Sequence, residues 1–346
     1  MQMVMGNIHI HSTYSDGAAG IPEIARLVAK SGLDYIIITD HNTLRGLPEE
    51  GFYENVLVLC GSEINIEKNH YLALGISREV AANDGNPQEV INAVKEQGGL
   101  GFIAHPFDKG SPVVEDGRSY PWEDWQVKDF TGIEVWNWGS QWRDAIKNKP
   151  MALYFAYLKQ EAPITGPYPE AMAFFDRTSR QRKITAIAGT DAHDFHIRRG
   201  PLQRRIFPYD YLFHTVNNCL FLPQPLSGDF EKAKEQVLTA LRLGRAFIVN
   251  RRAGEPDGFS FTVSSGKRTA IPGEEIEFKE QKTILRVRCL GRSRKKVFLK
   301  IIRNGELYWE KRDNKVEGLL GKKGIYRVEA YLNRKPWIFT NPIYVV

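Results

Sequence analysis

Cysteine is scarce in this chain of 346 residues. Cys60, Cys219 and Cys289 stand far apart, so they build neither a disulfide framework nor a zinc knuckle. Long apolar runs are missing too. Stretches such as Tyr35–Thr39 and Asn55–Cys60 fall far short of the roughly 20 residues that a membrane helix needs. The first residues lack the basic start and extended apolar centre of a secretory signal, since His9 and His11 interrupt them at once. There is no internal repeat, low-complexity tract or glycine-rich phosphate loop. These absences predict a soluble, cytoplasmic protein with no membrane partner. What is present is globular: 42% apolar and 25% charged residues, enough for two domains or one large α/β domain with an appendage.

The formal net charge of +6 is unevenly spread. Residues 1–100 carry 6 basic and 13 acidic side chains, whereas residues 255–346 carry 20 basic and 11 acidic. The acidic start suits cations. The basic end, densest at Arg292-Ser293-Arg294-Lys295-Lys296, raises a nucleic-acid partner as the lesser reading beside ordinary charge alternation on exposed strand faces.

Up to about residue 250, apolar strands alternate with helices. Ile21-Pro22-Glu23 opens a helix that stops at Gly32, and Asp34–Thr39 follows as a buried strand. Further strands are expected at 55–60, 71–76, 100–104, 132–136, 184–188 and 246–249, with helices at 87–97 and 230–243. This pattern predicts βαβ units in a parallel sheet or barrel over residues 1–254. Inserted loops and helices occupy about 106–182, with helices expected at 154–158 and 170–175. Residues 255–346 change character, to short alternating strands separated by turns such as Asn304-Gly305, and read as a small antiparallel β-sandwich.

Titratable residues repeatedly sit where apolar strands end. His9-Ile10-His11 places two imidazoles two residues apart, aimed to one face by strand periodicity, and Asp16 follows in a turn. Later strands end in His41, Glu63, His105, Glu134, and then Asp191 with His193. In parallel α/β folds, sites gather at the carboxyl ends of strands. Five histidines, two aspartates and two glutamates suit zinc, manganese or iron better than calcium or magnesium, and nine donors imply two or three divalent ions.

HxHxxxxSDG at His9–Gly17, TDH at Thr39–His41, Glu63, His105-Pro106 and GTDAH at Gly189–His193 resemble the PHP (polymerase and histidinol phosphatase) superfamily over about residues 5–250. The resemblance implies a distorted (β/α)7 barrel binding up to three metals. It places His9, His11, Glu63 and Asp191 on one ion, with Glu63 bridging to a second held by His105 and a residue of the next strand. Asp16, His41 and His193 would hold the third. Several relatives offer histidine or cysteine as that next-strand ligand; this chain offers Glu134. Gly200-Pro201, the ending LRLGR and the terminal Asn341-Pro342-Ile343-Tyr344-Val345 look like the CehA/McbA-like branch, which includes carbamate and amide hydrolases.

A cluster of divalent ions implies a hydrolase, first a phosphoesterase acting on a small anionic metabolite or nucleotide, second a carbamate, amide or ester hydrolase. Beyond the ligands, His70 reads as an acid for the leaving group or a hydrogen-bonded strand histidine. Arg198 reads as a grip on an anionic substrate or part of a solvated basic loop, and His196 reads like His70. Trp122, Trp125, Trp136, Trp138 and Trp142 line a pocket or pack the core.

Overall fold

The computed structural model describes residues 2–199, 202–289 and 297–346, and of residues 196–199 and 202–204 only the backbone. The basic run Arg292–Lys296 therefore lies outside the described residues, as does Gly200-Pro201 of the branch resemblance.

Seven strands form the first unit: β1 (Gln2–Ile10), β2 (Tyr35–Ile38), β3 (Val56–Ile64), β4 (Tyr71–Leu74), β5 (Leu100–Ile103), β6 (Gly132–Asn137) and β7 (Thr185–Gly189), hydrogen-bonded in that order. The helix α1 (Ile21–Ser31) follows β1, starting on Pro22 and ending where Gly32 turns left-handed at φ 74°. Helix α2 (Pro87–Glu96) precedes β5. The long insertion carries α3 (Trp138–Asp144), α4 (Lys149–Tyr157) and α5 (Pro169–Ser179); α4 is longer than expected because Pro150 starts it earlier, and α5 because it continues to Ser179.

β1 has a divided edge. Its first half pairs antiparallel with a strand at Val216–Leu222. Its second half runs beside residues 190–192, through His11 N→Ala192 O (2.9 Å) and Ala192 N→His9 O (3.2 Å). That second contact closes the barrel only at the end where the titratable residues stand.

Side chains along the strands split into two cores by period two. Ile8, Tyr35, Ile37, Leu57, Leu59 and Phe102 pack with Val237 and Leu241 of the helix Phe230–Arg242. Their neighbours Ile36, Ile38, Val56 and Val58 pack with Ile24 and Val28 of α1. Strands buried on both faces explain the near-continuous apolar runs.

The expected all-parallel order fails at Val216–Leu222, which pairs antiparallel with β1 and with Ala246–Asn250, and again at β4. β4 is antiparallel to both β3 and β5. Only a short loop joins β3 to β4, too short for the crossover that parallel pairing requires.

The carboxy-terminal residues form two facing sheets. Phe261, Val263, Leu285 and Val287 of one meet Leu299, Ile301, Tyr326 and Val328 of the other. Asn304 (φ 54°) and Gly305 (φ 89°) make the expected hairpin turn between Phe298–Arg303 and Glu306–Arg312. The second sheet is not set apart from the barrel: Lys335–Thr340 pairs antiparallel with Ala246–Asn250, so one hydrogen-bonded sheet runs through both. Buried Asn341 adds to this, accepting from Ala186 N (2.7 Å) and donating to Ala186 O (3.0 Å) and Ala246 O (3.1 Å). No helix of the described residues is long and apolar enough to cross a membrane.

Candidate metal centre

Backbone irregularity marks the strand ends that carry the titratable residues. The register of β1 with β2 slips between Ile8 and Ile10, and that of β6 with β7 between Glu134 and Trp136. His9 (φ 69°), His105 (φ 23°) and Asp191 (φ 55°) have left-handed backbones, costly for residues other than glycine. A straight strand was expected to aim His9 and His11 together; the bulge at His9 does so instead.

His9 Nε2 lies 3.1 Å from Glu63 Oε2 and 3.3 Å from Asp191 Oδ1, and His11 Nε2 lies 3.2 Å and 3.3 Å from the same two oxygens. Donor atoms about 2.0 Å from a tetrahedral ion stand about 3.3 Å apart, so this spacing matches the edges of such a shell. The other oxygen of Glu63 serves a second group. His70 Nδ1 lies 2.7 Å and His105 Nε2 3.1 Å from Glu63 Oε1. A third group gathers His11, Asp16, His41 and His193, with His193 Nε2 3.2 Å from Asp16 Oδ1. The donor atoms within each group lie within 4.8 Å of one another.

The structure thus brings together His9, His11, Asp16, His41, Glu63, His105, Asp191 and His193, and adds His70. Glu134, expected as a ligand, stands outside the three groups, because both its oxygens are engaged. Oε1 faces His9 Nδ1 at 2.9 Å, while Oε2 accepts from His105 N (2.7 Å) and Asn137 Nδ2 (3.1 Å). Gly189 makes room for this: a Cβ there would come within 1.8 Å of Glu134 Oε1. The side chains of His196 and Arg198 lie outside the described residues.

Burial leaves donor atoms without partners. His11 Nε2, His70 Nε2 and His105 Nδ1 are buried and lack a hydrogen bond. Burial opposes charge throughout; opposite charges outweigh it at His9, His11, Glu63, His105 and Asp191, whereas at His41 burial prevails and lowers the pKa. Glu63 is held well below the usual carboxylate range by His9, His70 and His41 despite its burial. His11, desolvated but facing the carboxylates of Asp191 and Glu63, is pushed up to about 9, and His105, desolvated but bonded through Nε2 to Glu63, also reaches about 9. Imidazolium and carboxylate compensate one another where divalent ions would replace the protons.

The sequence identifies Ser12 and Ser15 as organisers of the turn that presents Asp16, but not the residues to which they and the strand ends are tied. Asp40, 3% exposed, accepts from Ser12 N (2.7 Å), Ser12 Oγ (2.7 Å) and Ser15 Oγ (2.6 Å), fixing the turn that presents Asp16. Tyr209 OH donates to His11 O at 2.7 Å and accepts from Ala18 N at 3.1 Å. Thr190 Oγ1 donates to Asn7 Oδ1 at 2.6 Å beneath the site. Asp40 was adjacent to a chosen ligand and carried a signal; Tyr209 and Asn7 carried none. Trp122, Trp136, Trp138 and Trp142 are buried in the core, and Trp125 stacks on Phe107 at 5.0 Å.

A sequence profile for the PHP domain matches residues 7–114. The Uncharacterized protein MJ1587 of Methanocaldococcus jannaschii is 31% identical over 156 residues, which span 41% of this chain and 85% of that protein. The DNA polymerase/3'-5' exonuclease PolX of Bacillus subtilis is 35% identical over 80 residues, 18% of this chain and 14% of that one. Among solved structures, a two-domain protein from Bacteroides vulgatus containing a predicted PHP-like metal-dependent phosphoesterase is similar over 99% of this chain and 95% of its own, at 17% identity and a TM-score of 0.44.

Proposed function

Because the chain belongs to the PHP domain family, we propose that it is a metal-dependent hydrolase, and within that class a phosphoesterase of small phosphorylated metabolites or nucleotides. One observation carries the reading: the buried carboxylate of Glu63 turns one oxygen to His9 and His11 and the other to His70 and His105, the arrangement of a bridge between two ion sites. His9, His11, Glu63 and Asp191 are assigned to the first ion, Glu63, His70 and His105 to the second, and Asp16, His41 and His193 to a third. His70 takes the place given to Glu134 from the sequence, and Glu134 instead orients His9 and the backbone of His105.

The imidazole–carboxylate donor set fits zinc, manganese or iron. When bound, such ions lower the pKa of coordinated water and neutralise charge on a phosphoryl oxygen. The protein's own contribution is position: Asp40 and Tyr209 fix the turn and carbonyl beside His11, and the bulges fix His9 and Glu134. The tryptophan-rich insertion, which would favour a neutral carbamate or amide as a pocket wall, packs four of its indoles into the core.

The test is elemental analysis of the purified protein, then a manganese- or zinc-supplemented panel of phosphomonoesters, phosphodiesters, carbamates, amides and carboxylic esters. Metal-dependent phosphate release, lost on chelation and in His9→Ala, is expected. Cleavage of carbamates or amides with no phosphate release would replace the phosphoesterase reading, and absence of bound metal would remove its basis.

A further inference from the structure

We propose that Arg143 is a seat for a second anionic group of the substrate, and that Glu115 occupies this seat when substrate is absent. The second group, a carboxylate or phosphate, lies on the substrate away from the part that faces the metals. The inference rests on the metal-dependent reading for what stands at the ions, and on the surroundings of Arg143 for the rest.

Arg143 is placed by α3. Near the start of that helix, Gly139 abuts the metal centre so closely that a Cβ on it would lie 3.3 Å from Asp191 Cβ. Arg143 follows one turn later on the same side. Its guanidinium lies over the Tyr120 ring, 5.1 Å from the centroid, and the same ring lies 5.1 Å from that of His70. One aromatic ring therefore separates the guanidinium from the second metal group.

The two partners of Arg143 differ in permanence. Asp108 has a fully buried side chain and belongs to the wall: its amide donates to His105 O (3.0 Å), and its Oδ1 accepts from Tyr120 N (3.2 Å). Glu115, whose Oε2 takes Arg143 Nη1 at 2.6 Å, is 38% exposed. It sits in a turn where Glu115 (φ 52°), Asp116 (φ 53°) and Gly117 (φ 83°) are successively left-handed, a conformation that two non-glycine residues give up readily. Half-exposed ion pairs are weak, so an incoming oxyanion competes with Glu115 on favourable terms. Exchange of Glu115 for an incoming carboxylate also leaves the local charge unchanged beside Asp108.

The guanidinium has capacity to spare. Arg143 Nε is buried with no hydrogen-bond partner, while Nη2 holds Asp108 and Nη1 holds Glu115. Glu115 offers Nη1 a single oxygen, whereas a carboxylate or phosphate presents paired oxygens that can span the outer edge of Nη1 and Nη2.

The test compares two non-hydrolysable probes on the manganese-loaded protein by isothermal titration: phenylphosphonate, and 4-carboxyphenylphosphonate with its distal carboxylate. The wild type should bind the carboxylated probe at least tenfold more tightly. Glu115→Gln should widen that advantage, and Arg143→Gln should abolish it while leaving phenylphosphonate affinity unchanged. Equal affinity of the two probes in the wild type, or an advantage that survives Arg143→Gln, overturns the proposal. Should Arg143→Gln not fold, Glu115→Gln decides alone: an unchanged or smaller advantage counts against the seat. Because no turnover is measured, loss of the phosphoesterase reading in the substrate panel and loss of this one appear as separate results.

Discussion

His70 Nδ1 lies 2.7 Å from Glu63 Oε1, the carboxylate oxygen turned away from His9 and His11. If His70 is a ligand and Glu134 a support, the two substitutions separate by stoichiometry. His70→Ala should purify with about one ion fewer per chain. Glu134→Gln should keep the full count at saturating metal while losing about 10- to 100-fold in affinity, as expected when a residue orienting a ligand is altered. Elemental analysis after dialysis against graded metal distinguishes them. The assignment fails if Glu134→Gln loses an ion and His70→Ala does not.

The place of His70 beside Glu63 has a topological cause. Ligands were sought where strands end, which holds when every strand points towards the site. β4 runs the other way, so its first residues, with His70 just before Tyr71, lie beside Glu63 and His105. The brevity of the segment between Glu63 and His70 was the available clue, since a parallel crossover needs a dozen or more residues. Glu134 does end a strand, as expected; only the bulge beside it shows that its oxygens turn to His9 and His105 N. Local chemistry was legible, as at Asn304-Gly305, while the pairing of Phe247 with Thr340 that joins the two units depends on residues 93 positions apart and leaves no local trace.

Gly189 should tolerate no side chain. Its Cβ would stand 1.8 Å from Glu134 Oε1 and 2.7 Å from His9 Cβ, both on buried, hydrogen-bonded residues. Gly189→Ala is expected to cost about 1–3 kcal/mol through overpacking and to weaken metal binding at the His9 group. Gly228→Ala, where a Cβ meets nothing within 4 Å, is the control and should leave both unchanged. Thermal melts and metal titrations of the pair check this.

Arg327 ties the carboxy-terminal sheet to α5. It is 4% exposed, grips Asp176 through Nε (2.6 Å) and Nη2 (2.7 Å), and donates from Nη1 to Glu329 at 2.6 Å. Removing the guanidinium leaves two poorly solvated carboxylates facing each other, so Arg327→Met should lose about 3–5 kcal/mol in urea unfolding. Arg327→Lys should recover only part, because an ammonium cannot reproduce the two-pronged contact with Asp176. A loss below about 1 kcal/mol would show that the sheet is held without this pair.

Glu161 links the insertion to two later segments, through Arg252 Nε at 2.5 Å and Lys335 Nζ at 2.9 Å. Partial burial works to raise its pKa, but the two cations outweigh it and hold the carboxyl below its ordinary value of 4.5. A depressed folded-state pKa means that the unfolded chain takes up the proton first as pH falls. The stabilisation is therefore complete above about pH 4.5 and disappears as acidity increases below it. The site is partly open to solvent, so the magnitude should not exceed about 1 kcal/mol. Glu161→Gln should accordingly be less stable than the wild type in denaturant at pH 7, and the difference should shrink progressively from pH 4.5 downwards. A difference that persists unchanged in acid would assign the effect to packing of the side chain and not to its charge.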